Sequence, residues 1–163
     1  MKEATLGLAW WHPAVLVATG FGVGYLPWVP GSWGSLLALG CGWGIAEAGG
    51  PIALAIAALI AFAVGWWASQ RIVAASGRHD PRFIVIDEIA AQWLALLAVP
   101  LDALWYAAAF LLFRLFDIVK PLPIRLVERR VPGGLGIMLD DVMAAIYALV
   151  LLLIGEGLFG VRP

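Results

Sequence analysis

Apolar residues run along this chain in five stretches, 34–46, 51–68, 83–99, 103–116 and 142–154, separated by EAGG, by the polar segment 69–82, by a short P-L-D turn and by the polar segment 117–141. Runs of this length bounded by Gly, Pro and charged residues predict helices. The expected fold is therefore all-α, a compact helical bundle and a polytopic membrane protein with about five membrane-embedded helices. Several stretches are shorter than the ~20 apolar residues that cross a bilayer comfortably, so their polar ends must extend into the interface, or they must tilt or insert partway. Neither a repeat, a low-complexity tract nor a polar linker interrupts the pattern, which reads as one domain over 1–163. The small-residue clusters GFGVG at 20–24 and GCGWG at 40–44 predict close helix contacts.

Composition strengthens the membrane reading. Of 163 residues, 63% are hydrophobic and 13% charged, and the mean hydropathy is +0.96, well above ordinary soluble domains. Nine tryptophans suit interfacial anchoring, notably Trp10, Trp11, Trp66, Trp67 and Trp105 near expected helix ends. The start, MKEATLGLAWWHP, lacks a long h-region, and no removable signal peptide is expected. A net charge of −1 argues against nucleic acid as a partner, because phosphate-backbone binding needs a basic excess. Cys41 is the single cysteine, which rules out an internal disulfide, and its apolar setting predicts a packed thiol.

The charges sort by side. Arg71, Arg78 and Arg82 lie in one long connection, and Arg114, Lys120, Arg125, Arg129 and Arg130 in or beside the other, while Glu47, Asp102 and Glu156 mark the opposite ends. The positive-inside rule turns the two basic connections, and with them residues 20–33, toward the cytoplasm and the tail outward. On that cytoplasmic face three segments gather Asp80, Asp87, Glu88, Asp117, Asp140 and Asp141. Carboxylates buried there without compensation would be unfavourable. A hard divalent cation with oxygen ligands, Mg²⁺ above all, resolves the conflict, and no Cys/His set exists for zinc. Asp87, Glu88, Asp117, Asp140 and Asp141 are the candidate ligands. Simpler roles stand beside this one. Asp87-Glu88 and Asp140-Asp141 each precede an apolar run and suit helix N-termini. Asp117 sits three residues from both Arg114 and Lys120 and suits a helical ion-pair ladder. Arg125, Arg129 and Arg130 fit anionic lipid heads. In PGSWGS the small residues free the backbone to approach an anion, with Ser32 and Ser35 as candidate donors, and a plain turn into the first helix explains the segment equally well.

Taken together, PGSWGS, DPRFIVIDE, FRLFDIVKPLPI and GGLGIMLDDVMAA resemble, in the same order and from about residue 20 to 150, the motif series of the phosphatidylglycerophosphatase A family. The resemblance implies a helical, Mg²⁺-dependent lipid phosphatase of the bacterial inner membrane that converts phosphatidylglycerophosphate to phosphatidylglycerol and inorganic phosphate, and the charge pattern turns its site to the cytoplasm. Carried over by motif, the catalytic and metal-binding residues are Asp87, Glu88, Asp117, Asp140 and Asp141, with Asp80 a weaker addition. Ser32, Ser35, Arg114 and Lys120 would bind substrate. Ser32 stands where threonine is common, and Ala91 and Ala145 where glycine is expected. The cysteine, aspartyl-box and histidine-based phosphatase signatures are absent, as is the series of the CDP-alcohol transferases. The alternative is a small membrane ion or metal transporter using intramembrane carboxylates, but such a path needs acids through the membrane depth, and the middle of every stretch is apolar.

Overall fold

The computed structural model of the chain describes residues 7–159. The expectation of no signal peptide rests partly on residues 1–6, which lie outside the described residues. Among the described residues there are six α-helices and one short 3₁₀ turn, Val23–Tyr25, and no strand. They are α1 (Pro13–Ala18), α2 (Pro30–Ser76), α3 (Ile86–Leu96), α4 (Ala103–Val119), α5 (Ile124–Arg130) and α6 (Gly133–Phe159).

α2 is two helices joined at a break. Gly50 takes φ 68°, ψ −168°, and Pro51 follows it, so the helical ladder cannot continue past the EAGG segment. Contacts with α3 give the path. Gly34 packs on Val85 and Gly65 on Ile86, whereas Gly42 meets Leu96 and Leu54 shares a cluster with Leu96. The two segments of α2 therefore fold back on each other, and residues near 31 and near 70 lie at the same end of the bundle.

Small side chains let the helices approach. One core cluster unites Ala91 and Ala95 of α3, Phe113 of α4, and Ala144, Ala145 and Ala148 of α6, all fully buried. Ala91 and Ala145, where glycine was expected, thus fit a tight helix contact without displacing it. Gly42 of GCGWG makes the close contact that its motif predicted, against Leu96 and Trp93, whereas Gly40 and Gly44 face open space. Cys41 is exposed rather than packed, since the buried stripe of this segment runs through Gly34, Ala38 and Gly42 and leaves position 41 off it.

Two helices, α2 and α6, are long and apolar enough to cross a bilayer. α3 has 11 residues and α4 has 17, short of the ~20 that a crossing takes, so helix length does not establish five crossings. Ile52, Leu59 and Leu104 are 73%, 68% and 81% exposed, an apolar surface suited to lipid contact.

Candidate active site

Six segments meet at one end of the bundle around a cavity of about 560 Å³: the start of α2 with the residues before it, the 77–85 connection, the first turn of α3, the end of α4, α5 through Glu128, and the first three turns of α6. Asp87 and Glu88 enter on α3. Val85 precedes that helix without a side-chain cap, and the two carboxylates sit in its first turn, where the helix dipole favours negative charge. Asp140 and Asp141 are not at a helix start. The helix that was expected to begin after them begins at Gly133, where φ is 75° and Gln70 Oε1 accepts a 2.8 Å hydrogen bond from Gly134 N–H. Both aspartates therefore project from the body of α6, buried, and are not caps.

The five predicted acids divide into two sets. Oxygens of Asp87, Glu88 and Asp141 all lie within 4.8 Å of one another, a spacing that can hold a metal ion. In each, one buried oxygen, Asp87 Oδ1, Glu88 Oε2 or Asp141 Oδ2, has no hydrogen-bond partner. Buried orphan oxygens on three converging carboxylates are what a cation would satisfy. Asp117 and Asp140 are instead paired. Arg114 Nη1 lies 2.6 Å from Asp117 Oδ2 and 3.7 Å from Glu88 Oε1. Its N–H bonds do not point along these lines, and Arg114 Nε and Nη1 remain buried donors without acceptors. Lys120 Nζ lies 2.5 Å from Asp140 Oδ2 and 3.0 Å from Glu128 Oε1.

The expected Arg114-Asp117-Lys120 ladder is thus half formed. Lys120 ends α4 in the left-handed region, φ 45°, with its N–H bonded to Phe116 O, and this turn swings the ammonium toward α6. Burial opposes its charge, but the hydrogen bonds and charges of Asp140 and Glu128 outweigh that and hold its pKa above the ordinary lysine value. Asp80 also lines the cavity; burial raises its pKa, with the Lys120 charge working in the opposite direction.

The serines are not brought to the acids. Ser35 is fully buried, and its hydroxyl donates to Gly31 O at 3.0 Å, a bond within α2. Ser32 does not line the cavity. What PGSWGS contributes is Gly31, whose missing side chain makes room for Glu88: a Cβ there would run into Glu88 Oε1 and come within 3.1 Å of Arg114 Nη1. The sequence signal was present in the glycine and was assigned to the neighbouring hydroxyls. Glu128 was overlooked because it sits among Arg125, Arg129 and Arg130, which read as a lipid-facing basic group. At the far end, Asp102 caps α4 by accepting from Leu104 N–H at 2.9 Å and Trp105 N–H at 3.2 Å, a structural task.

Comparison with known proteins agrees with the motif series. A sequence profile describing phosphatidylglycerophosphatase A matches residues 16–156. Proteins named phosphatidylglycerophosphatase A are 41% identical in Haemophilus influenzae, over 85% of this chain and 86% of that protein, and 38% identical in Escherichia coli, over 83% and 77%. A Bacteroides thetaiotaomicron protein whose name provisionally assigns it phosphatidylinositol-3-phosphatase is 41% identical, over 90% of this chain and 95% of its own length. No solved structure matches.

Proposed function

The chain belongs to the phosphatidylglycerophosphatase A family of phosphatases, and from that premise we propose that it removes the terminal phosphate of phosphatidylglycerophosphate, with Mg²⁺, as a step of phospholipid biosynthesis. The observation that carries this reading is the convergence of three carboxylates, each with a buried unpartnered oxygen, beside the Arg114 guanidinium. Asp87, Glu88 and Asp141 would hold the cation. Bound there, Mg²⁺ would offset the negative charge of the phosphate and make a coordinated water more acidic. Arg114, which lines the cavity with its charge held by Asp117, would bind phosphoryl oxygens, and a guanidinium suits that planar, multidentate recognition. Asp117 keeps Arg114 in place from one turn away. Lys120, held by Asp140 and Glu128, adds a second fixed positive charge on the same wall. Either Asp87 or Glu88 orients the attacking water through its second oxygen.

Orientation follows from charge. Arg71, Arg78, Arg82, Lys120 and Arg125 lie toward the site end, which supports a cytoplasmic active site in the bacterial inner membrane. In this reading the two segments of α2 and α6 cross the bilayer, while α3 and α4 are embedded from the site end. The experiment is phosphate release from phosphatidylglycerophosphate by the purified protein and by Asp141→Asn. Release by the wild type and a loss of about 100-fold or more in the variant support the proposal, by the usual size of one electrostatic group's contribution. A wild type that leaves this lipid intact rejects it. The name and identity of the Bacteroides relative favour a second reading, hydrolysis of phosphatidylinositol 3-phosphate, and the same assay with that lipid decides between them.

A further inference from the structure

The cavity has two apolar posts at its mouth. Trp28 lines it yet is 94% exposed, and its backbone is held at φ 82°, a conformation that a bulky side chain rarely adopts. The turn that carries it is tied down, because Trp33 Nε1 donates to Pro27 O at 3.3 Å. Ile118 of α4 lines the same cavity and is 70% exposed. The two walls adjoin: a Cβ on Gly31, three residues after Trp28, would stand 3.1 Å from Arg114 Nη1, one turn before Ile118.

From each post an exposed apolar strip runs along its helix, away from the polar end. On α4 it is Leu111 and Leu115, at −7 and −3 from Ile118, 65% and 51% exposed. Beside Trp28 it starts at Val29, the residue before α2, 56% exposed, and continues on α2 with Trp33 and Leu37, four residues apart on one face, 43% and 37% exposed. Water would disfavour both strips, whereas a bilayer reaching to this level would cover them. A tryptophan at that depth sits where indoles prefer to be, with its ring at the level of the lipid headgroups.

We infer that the cavity is loaded sideways from the bilayer, through a portal between Trp28 and Ile118, with the phosphate headgroup turned into the carboxylate site and the acyl chains of the same lipid left against the two strips. Trp28 is a positioning residue: its exposed indole holds the glycerol and upper acyl region of the lipid so that the phosphate reaches Arg114. This inference rests on the lipid-phosphatase reading above and adds how the substrate arrives. It also accounts for the polar interior of the cavity, which has no need to hold hydrocarbon.

The test reconstitutes the full chain in phospholipid vesicles and compares kcat/KM for long-chain phosphatidylglycerophosphate in the bilayer with that for a short-chain, water-soluble analogue. The ratio of the two is read in one preparation, so a fraction of unfolded protein cancels. Trp28→Ala is expected to lower the ratio about tenfold, the size of losing part of one large apolar contact, chiefly through KM. Trp28→Phe should restore most of it, and Ile52→Ala, 73% exposed at the other end of the bundle, should leave it unchanged. A Trp28→Ala ratio equal to that of the wild type overturns the portal, as does an equal loss in Ile52→Ala. A wild type inactive on both lipids overturns the substrate reading, and the portal falls with it.

Discussion

Lys120 Nζ, 2.5 Å from Asp140 Oδ2, ties the end of α4 to the body of α6 across one wall of the cavity. The pair is mostly shielded, with side-chain exposures of 21% and 9%, so its loss should be felt in stability as well as in catalysis. Lys120→Met leaves a buried aspartate without its cation and is expected to destabilise the protein by about 2 kcal/mol, read by unfolding in detergent. The pH dependence has a definite sign. The folded-state pKa of Lys120 lies above its unfolded value, so the stability that its charge contributes is fully present below the ordinary lysine pKa and is lost as pH rises through the higher folded value. In Lys120→Met the unpaired, buried Asp140 takes up a proton more readily, so the deficit of the variant should be small in mild acid and grow as pH rises through neutrality. A deficit that shrinks over that range contradicts this arrangement.

Arg114 keeps its charge near Asp117 and Glu88 and lines the cavity, with its buried Nε lacking an acceptor. Arg114→Lys retains a charge and loses the fork, and should reduce kcat/KM about 100-fold, with Arg114→Gln lower still. If the lysine variant works like wild type, the arginine serves the fold alone.

Gly31 offers a steric probe of Glu88. Gly31→Ala introduces a single methyl group into the space that Glu88 Oε1 fills, and should reduce turnover between roughly tenfold and 100-fold, while helical content by circular dichroism stays that of the wild type. Full activity in this variant would mean that Glu88 works from another position.

Ser35→Ala separates the two explanations of PGSWGS. The hydroxyl is committed to Gly31 O inside α2, so its removal should leave kcat and KM for the phosphatase reaction close to wild type and change stability by no more than about 1 kcal/mol. A large rise in KM would return Ser35 to the binding site.

These residues also mark how far the sequence could be read. The break at EAGG was legible because Gly50 and Pro51 stop a helix by backbone chemistry alone. The gathering of acids at one end was legible because hydropathy and basic loops fix sides. What stayed hidden depends on how particular helices meet. Asp140 and Asp141 look like the start of an apolar run, yet α6 begins at Gly133, since glycines ahead of them pack against Gln70 and the helix propagates through both carboxylates. Which acids are free and which are paired turns on one residue, Lys120, whose left-handed turn carries its ammonium from α4 to α6. Cys41 failed for a similar reason, because a mostly apolar helix gives no periodic hint of which face is buried, and here glycine and alanine form that face.

The central claim is that Asp87, Glu88 and Asp141, rather than all five acids alike, hold a divalent cation. Direct titration of the purified protein with Mn²⁺, a spectroscopically visible substitute for Mg²⁺, tests it by electron paramagnetic resonance. Asp87→Asn, Glu88→Gln and Asp141→Asn should each weaken binding about tenfold or more, and Asp117→Asn and Asp140→Asn distinctly less, since their carboxylates already face Arg114 and Lys120. Mn²⁺ affinity unaltered in the first three variants, or lost mainly in the last two, would contradict the account.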